Sequence, residues 1–221
     1  MQYCVKIFLS LVGTLKLRLY TGMSLFKKIF GTADDAAEDK NPDGTPFLQD
    51  SELPVDELFM INFKKNGGKF VYCDNISEVH EQFLNVLEEN DWFECEAICF
   101  EPKLYPLLDE NKLKHEKPQN PKFILATCES LVAEEGSVLF SSNQIKQNKP
   151  NELPDNMVIY ATTSQILANK SECLKHIKKK YDKAYPTNIT AIKYFEKAKE
   201  EDFLHYGSVA KNLYLLLLED L

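Results

Sequence analysis

Residues 131–142 read LVAEEGSVLFSS and set two carboxylates and a glycine between two apolar runs. Leu131–Ala133 and Val138–Phe140 have strand composition, so Glu134, Glu135 and Gly136 form the corner between them. A buried charge is costly unless it is paired. The corner is therefore either a hairpin tip with both acids in water, or a strand end that presents one carboxylate to a cleft. A second candidate is the loop His205-Tyr206-Gly207-Ser208 ahead of the last apolar run, because ligands bind at the carboxyl ends of parallel strands.

Other chemistry-bearing residues read as structural. Gly67-Gly68 matches neither a dinucleotide fingerprint nor a Walker motif and suits a helix C-terminus. Lys175, Lys178, Lys179, Lys180 and Lys183 form the wet face and C-terminal end of a helix, where cations complement the dipole. The six cysteines are scattered. Cys95 and Cys99 share one face of a strand, and no second Cys or His pair follows at metal-ligand spacing, so buried reduced thiols are expected. The four histidines lack metal-site spacing, no cysteine run could hold an iron–sulfur cluster, and no G-x-S-x-G elbow is present.

The elements that must position these residues begin near Leu53. VDELFMINFKK predicts a helix with Val55, Leu58, Phe59 and Ile61 or Asn62 inward. KFVYC follows as a strand, and Asn75 with Glu78 opens the helix ISEVHEQFLNVLEEN as a capping box, with Ile76, Val79, Phe83, Val86 and Leu87 on one side. ECEAICF is a strand, and PKFILATCESLVAEEGSVLFSS carries two or three more. MVIYAT lacks polar alternation and should be buried on both faces. SQILANKSECLKHIKKKYDKAY is a helix facing inward through Ile166, Cys173, Leu174, Ile177 and Tyr181. NITAIKYF is a strand or sheet edge, and the leucine run of NLYLLLLEDL suggests a central strand. The alternation predicts an α/β domain with a mostly parallel sheet, helices on both faces and an inserted hairpin near residue 136.

The chain has 221 residues, 44% hydrophobic and 27% charged, with a formal net charge of -8. An acidic chain is poorly suited to binding nucleic acid through phosphates and fits a cytoplasmic protein. Residues 1–22 are basic and apolar, and their run from Val5 to Leu15 is too short to span a bilayer. MSLFKKIFG, from Met23, reads like a natural start, so residues 1–22 are expected to be a non-native extension. Residues 23–52, rich in Asp, Gly and Pro, read as a flexible segment, and residues 53–221 as the α/β domain.

The segments NGGKFVYCDNISEV, ATCESLVAEEGSVLF, MVIYATTSQI, TNITAI and YGSVAKNLYLLLLEDL, in that order, resemble the LUD-domain family, lactate-utilisation proteins of the C-subunit type in their short single-domain form. The family's A-E-T-G-[ST] segment stands here as Ala133 to Ser137 with Glu135 in place of Thr. Its G-P-S-x-T-A-D-I stretch survives only as Asn188–Ile192, and its H-G-P-like turn as Tyr206-Gly207-Ser208. The resemblance implies a fold of the NagB/RpiA/CoA-transferase type and ligand contacts at Gly136, Ser137, Thr190, Gly207 and Ser208. It implies an accessory, ligand-binding role in oxidising lactate to pyruvate beside separate iron–sulfur subunits, with no cofactor held by this chain and a CoA ester or small carboxylate as ligand. In CoA-transferase relatives of the fold a Glu-x-Gly turn carries the nucleophile, and Glu134 matches it by position; the resemblance thus implies that Glu134 is the site acid, that Glu135 points the other way into solvent, and that Gly136 lets backbone and substrate approach closely. The alternatives are a stand-alone acyl- or CoA-transferring enzyme using Glu134, or a non-catalytic regulatory domain of the same fold.

Overall fold

A computed structural model describes residues 53–195 and 211–221, all within a unit that runs from Phe47 to Leu221. The extension at 1–22, the segment 23–52 and the site candidates His205, Gly207 and Ser208 lie outside the described residues.

Five strands form a parallel sheet: β1 (Lys69–Cys73), β2 (Ala97–Ile98), β3 (Phe123–Thr127), β6 (Asn156–Thr162) and β9 (Asn212–Leu218), in the order β1-β9-β6-β3-β2. The apolar runs explain which strands lie inside. Every residue of β3 is buried, and so are Leu215, Leu216 and Leu217 of β9, as strands covered on both faces require. The leucine run is interior as expected, although β6 holds the middle position. Helix α2 (Ile76–Asn90) buries Val79, Phe83, Val86 and Leu87 in a cluster with Trp92, Phe123, Tyr214 and Leu216. The Trp92 and Phe123 rings stack at 4.9 Å. Asn75 caps α2 by accepting from the Glu78 N–H at 3.0 Å, and the Glu78 carboxylate reaches back to the Asp74 N–H at 2.9 Å.

The inserted hairpin is present and grows into a sheet of its own. Strands β4 (Ser130–Val132) and β5 (Ser137–Ser141) are antiparallel, β7 (Ile166–Leu167) lies parallel beside β4, and β8 (Ile189–Ile192) runs antiparallel along β5. Helix α5 (Lys170–Tyr181) covers this sheet by setting Cys173 and Ile177 on Val132 and Leu139.

Three expectations are corrected. In helix α1 (Val55–Lys65) the buried face is Phe59, Met60 and Phe63, while Val55 and Ile61 are exposed. The Phe59 and Phe63 rings, stacked at 5.2 Å, and the Phe195 ring, tilted against Phe63 at 4.8 Å, set that face. Helix α5 starts only at Lys170, because the Asn169 side chain accepts from the Glu172 N–H at 3.0 Å and caps it there. Ile166 therefore lies in β7, and Leu174 is exposed. Of ECEAICF only two residues pair as a strand. The Glu96 carboxylate there accepts from the N–H groups of Gln119 and Asn120 at 2.7 and 2.6 Å. Past α1, Gly67 adopts φ +84°, the left-handed helix end that the sequence suggests.

Candidate functional site

The carboxyl ends of the parallel strands meet at a cavity of about 670 Å³. Strand β3 brings Thr127 and Cys128 to it, β6 brings Tyr160 and Thr162, and the turn after β2 brings Glu101 and Lys103. Helix α4 (Ser142–Ile145) contributes Asn143 and Gln144, and the C-terminal end of α5 contributes Lys180 and Tyr181. Hydroxyls, amides, two ammonium groups and a carboxylate line one space at the rim where α/β proteins bind ligands.

Behind this lining lies Glu129, whose side chain is fully buried. Four side chains converge on its carboxylate. Oε1 accepts from Ser141 Oγ at 2.6 Å, Gln144 Nε2 at 2.9 Å and Tyr181 OH at 2.8 Å, and Oε2 accepts from Lys180 Nζ at 3.0 Å. Local sequence fixes each donor. Ser141 and Gln144 form a capping box at the start of α4, in which Gln144 Oε1 takes the Ser141 N–H at 2.8 Å. The Gln144 amide is thereby oriented with its NH₂ toward Glu129. In α5, Cys173, Ile177 and Tyr181 recur at four-residue spacing and share the buried face, so Tyr181 points toward β4 and β5 with Lys180 beside it.

The electrostatics follow from this geometry. Burial alone would raise the Glu129 pKa, but the bonds from Ser141, Gln144, Lys180 and Tyr181 outweigh it and hold the carboxyl below its ordinary value. Burial would likewise lower the pKa of Lys180, and the bonds to Glu129 and Tyr181 more than offset it, so the ammonium stays charged. Its side chain is 44% exposed, and the bonds to Glu129 and Tyr181 leave an ammonium proton for a ligand. A lysine held cationic is an anion binder and a poor nucleophile. The Cys128 thiol is pushed well above its usual range by burial, with the nearby Glu129 and Glu101 adding to it, so it stays protonated and unreactive.

A carboxyl depressed in the folded state stabilises the fold above its unfolded pKa, about 4.3. That contribution is lost as pH falls through the lower folded value. Denaturant unfolding measured from pH 7 to pH 3 is expected to show a fall in stability below about pH 4.3 that Glu129→Gln flattens. An unchanged slope in the variant would mean that Glu129 is not the titrating group.

The residues singled out from the sequence lie elsewhere. Glu134, Gly136 and Ser137 come together at the β4–β5 corner, and Thr190 pairs with Phe140 on the outer strand β8. None of the four lines the cavity. The orientation of the two acids is the reverse of the expected one. Glu134 is exposed, whereas Glu135 is partly buried and its Oε2 is 2.8 Å from Lys170 Nζ. The corner docks on α1, where Asn62 Nδ2 donates to the Ala133 carbonyl at 2.9 Å and Asn66 Nδ2 to the Glu135 carbonyl at 2.7 Å. Those amides fix the path of the turn and so the direction of its side chains. Lys180, read as one more lysine of a wet face, is instead the partner of a buried carboxylate. The signal lay in Glu129 itself, an acid inside the run FILATCESLVA, which holds no glycine, proline or asparagine. Such an acid must find a partner.

No family model matches the sequence, and no curated protein matches it. Among solved structures, a DUF162 family protein from Deinococcus radiodurans is similar, with a TM-score of 0.54 and 12% identity over 78% of this chain and 99% of that one. The likeness is one of fold. DUF162 is the LUD domain family, and the architecture is α/β, a mostly parallel five-stranded sheet flanked by helices, consistent with a Rossmann-like or NagB/RpiA-like fold. Among the described residues no helix is long and apolar enough to cross a membrane, and no group of three or more His, Cys, Asp or Glu side chains is placed to hold a metal ion.

Proposed function

We propose that this chain is a LUD-type domain that binds a small carboxylate at the strand-end cavity, as an accessory subunit of a lactate-oxidising system whose iron–sulfur centres are carried by other chains. The observation that carries the binding is the Lys180 ammonium, half-exposed in a polar cavity and held there by the buried Glu129. The fold shared with a DUF162 protein and the order of the LUD-like segments support the family reading. Acyl transfer by Glu134 draws no support from the geometry, since that side chain is exposed at the β4–β5 corner and does not line the cavity.

Titration calorimetry with lactate, pyruvate and acetyl-CoA tests the binding. The small carboxylates are expected to bind, and Lys180→Met is expected to weaken them about tenfold to a hundredfold, the loss of one charge-assisted hydrogen bond. Absence of carboxylate binding, or unchanged affinity in Lys180→Met, overturns the ligand assignment. Affinity purification of the chain from its native cells is expected to bring down cysteine-rich iron–sulfur proteins, and a pull-down without them overturns the accessory role.

A further inference from the structure

One carboxylate lines this cavity and a second lies behind the lining, and they differ in what they still accept. Glu129 is fully buried, and its two oxygens accept from five donor contacts supplied by four side chains, so no ligand reaches it. Glu101 is on the lining itself, with its side chain 15% exposed. Its Oε1 accepts from the Thr127 N–H at 2.7 Å, and both oxygens lie 2.8 Å from Thr127 Oγ1. A hydroxyl carries one hydrogen and satisfies one oxygen at a time. Among the described residues, the other partner of Oε2 is Lys103 Nζ at 3.5 Å, an ion pair with a largely exposed ammonium and too long for a good hydrogen bond. Glu101 Oε2 is thus held by the end of β3 with acceptor capacity to spare, in the same cavity as the cationic Lys180.

We infer that Glu101 is a specificity-determining residue: it makes the cavity prefer anions that carry a hydrogen-bond donor beside the charged group, so that a 2-hydroxy acid binds better than the matching 2-oxo acid. The inference rests on the reading of the cavity as a carboxylate site and deepens it. The hydroxyl donates to Glu101 Oε2 while Lys180 takes the carboxylate. An oxo acid brings a second acceptor to Glu101, and two acceptors facing each other without a proton are left unpaired. A site built to meet a ligand O–H rejects analogues that lack it far more strongly than a site built on apolar fit.

Calorimetry on the full chain with lactate, 2-methoxypropionate and pyruvate reads this directly, because methylation removes the donor and keeps the oxygen. Lactate is expected to bind about tenfold or more tighter than either of the others. In Glu101→Gln an amide can keep the Thr127 contacts through its oxygen and present NH₂ where Oε2 stood, so lactate should weaken and pyruvate should gain. Failure of all three to bind overturns the carboxylate site and the inference together. Binding of all three with equal affinity overturns the inference and leaves the site. A preference for lactate that persists in Glu101→Gln overturns the assignment to this residue. Circular dichroism confirms that the variant is folded, and if it is not, the wild-type comparison of lactate with 2-methoxypropionate decides.

Discussion

Glu129→Ala is expected to abolish carboxylate binding and to lower the melting temperature by roughly 6–12 °C, the equivalent of about 3 kcal/mol in a domain of this size. The carboxylate is the shared acceptor of a network that joins β3, α4 and α5. Without it the buried Ser141 hydroxyl and Gln144 amide, and the Tyr181 hydroxyl at the cavity wall, lose their common partner. Breaking a buried pair from one side costs about 3–5 kcal/mol. The lower end applies here, because Lys180 is half-exposed and its freed charge can return to water. The same freedom removes the anion site, since the ammonium is fixed in the cavity by its bond to Glu129. Thermal unfolding and calorimetry on the one variant read both effects. Loss of binding at unchanged melting temperature would make Glu129 a direct ligand contact rather than a structural anchor. Unchanged binding would remove the cavity from the function altogether.

The sheet was legible in the sequence because burial on both faces leaves a compositional trace. FILAT, MVIYA and LYLLLL contain almost no polar residue, and only interior strands of a parallel sheet combine that with short length. The hairpin was legible for the complementary reason, since Glu134-Glu135-Gly136 interrupts an apolar run with residues that suit a turn. The inward faces of α1 and α5 were read less well. Each of those helices touches its surroundings over a narrow stripe, and one end residue more or less rotates the expected stripe by 100°. Asn169 decides where α5 begins, and a capping asparagine looks like any other polar residue until the strand before it is known.

The cavity was not legible, and the reason is long-range pairing. Glu129 and Lys180 are 51 positions apart, and Glu101 and Thr127 are 26 apart. Nothing in either local sequence announces the other. An isolated acid in an apolar run does announce that some partner must exist, because an unpaired buried carboxylate cannot be sustained. That argument selects Glu129 over Glu134. Glu134 sits two residues before a glycine, in a turn where water is a sufficient partner, and the structure leaves it exposed. The more informative acid was therefore the one in an apolar run with no glycine close by.

Gly136→Ala should destabilise the fold by about 3 kcal/mol or more, with a fall in melting temperature near 10 °C, by the sum of two separate effects. Gly136 has φ +60°, a conformation that alanine resists. The added Cβ would also stand 2.3 Å from the Asn62 carbonyl carbon and 2.4 Å from the Phe63 nitrogen. Those atoms are helix backbone and cannot turn aside as a flexible side chain would, so α1 must shift as a body. The shift pulls the Asn62 and Asn66 amides away from the corner carbonyls and disturbs the packing of Phe59 and Phe63. Glu134→Ala and Glu135→Ala serve as controls two and one residues away. The first removes an exposed side chain and should change stability by less than about 0.5 kcal/mol. The second removes a partly exposed ion pair with Lys170 and should cost at most about 1 kcal/mol. If Gly136→Ala melts with the wild type, the close approach of corner and helix is wrong. If instead Glu134→Ala alone eliminates ligand binding while the fold stays intact, the site lies at the corner, and the role assigned to Lys180 and Glu129 falls.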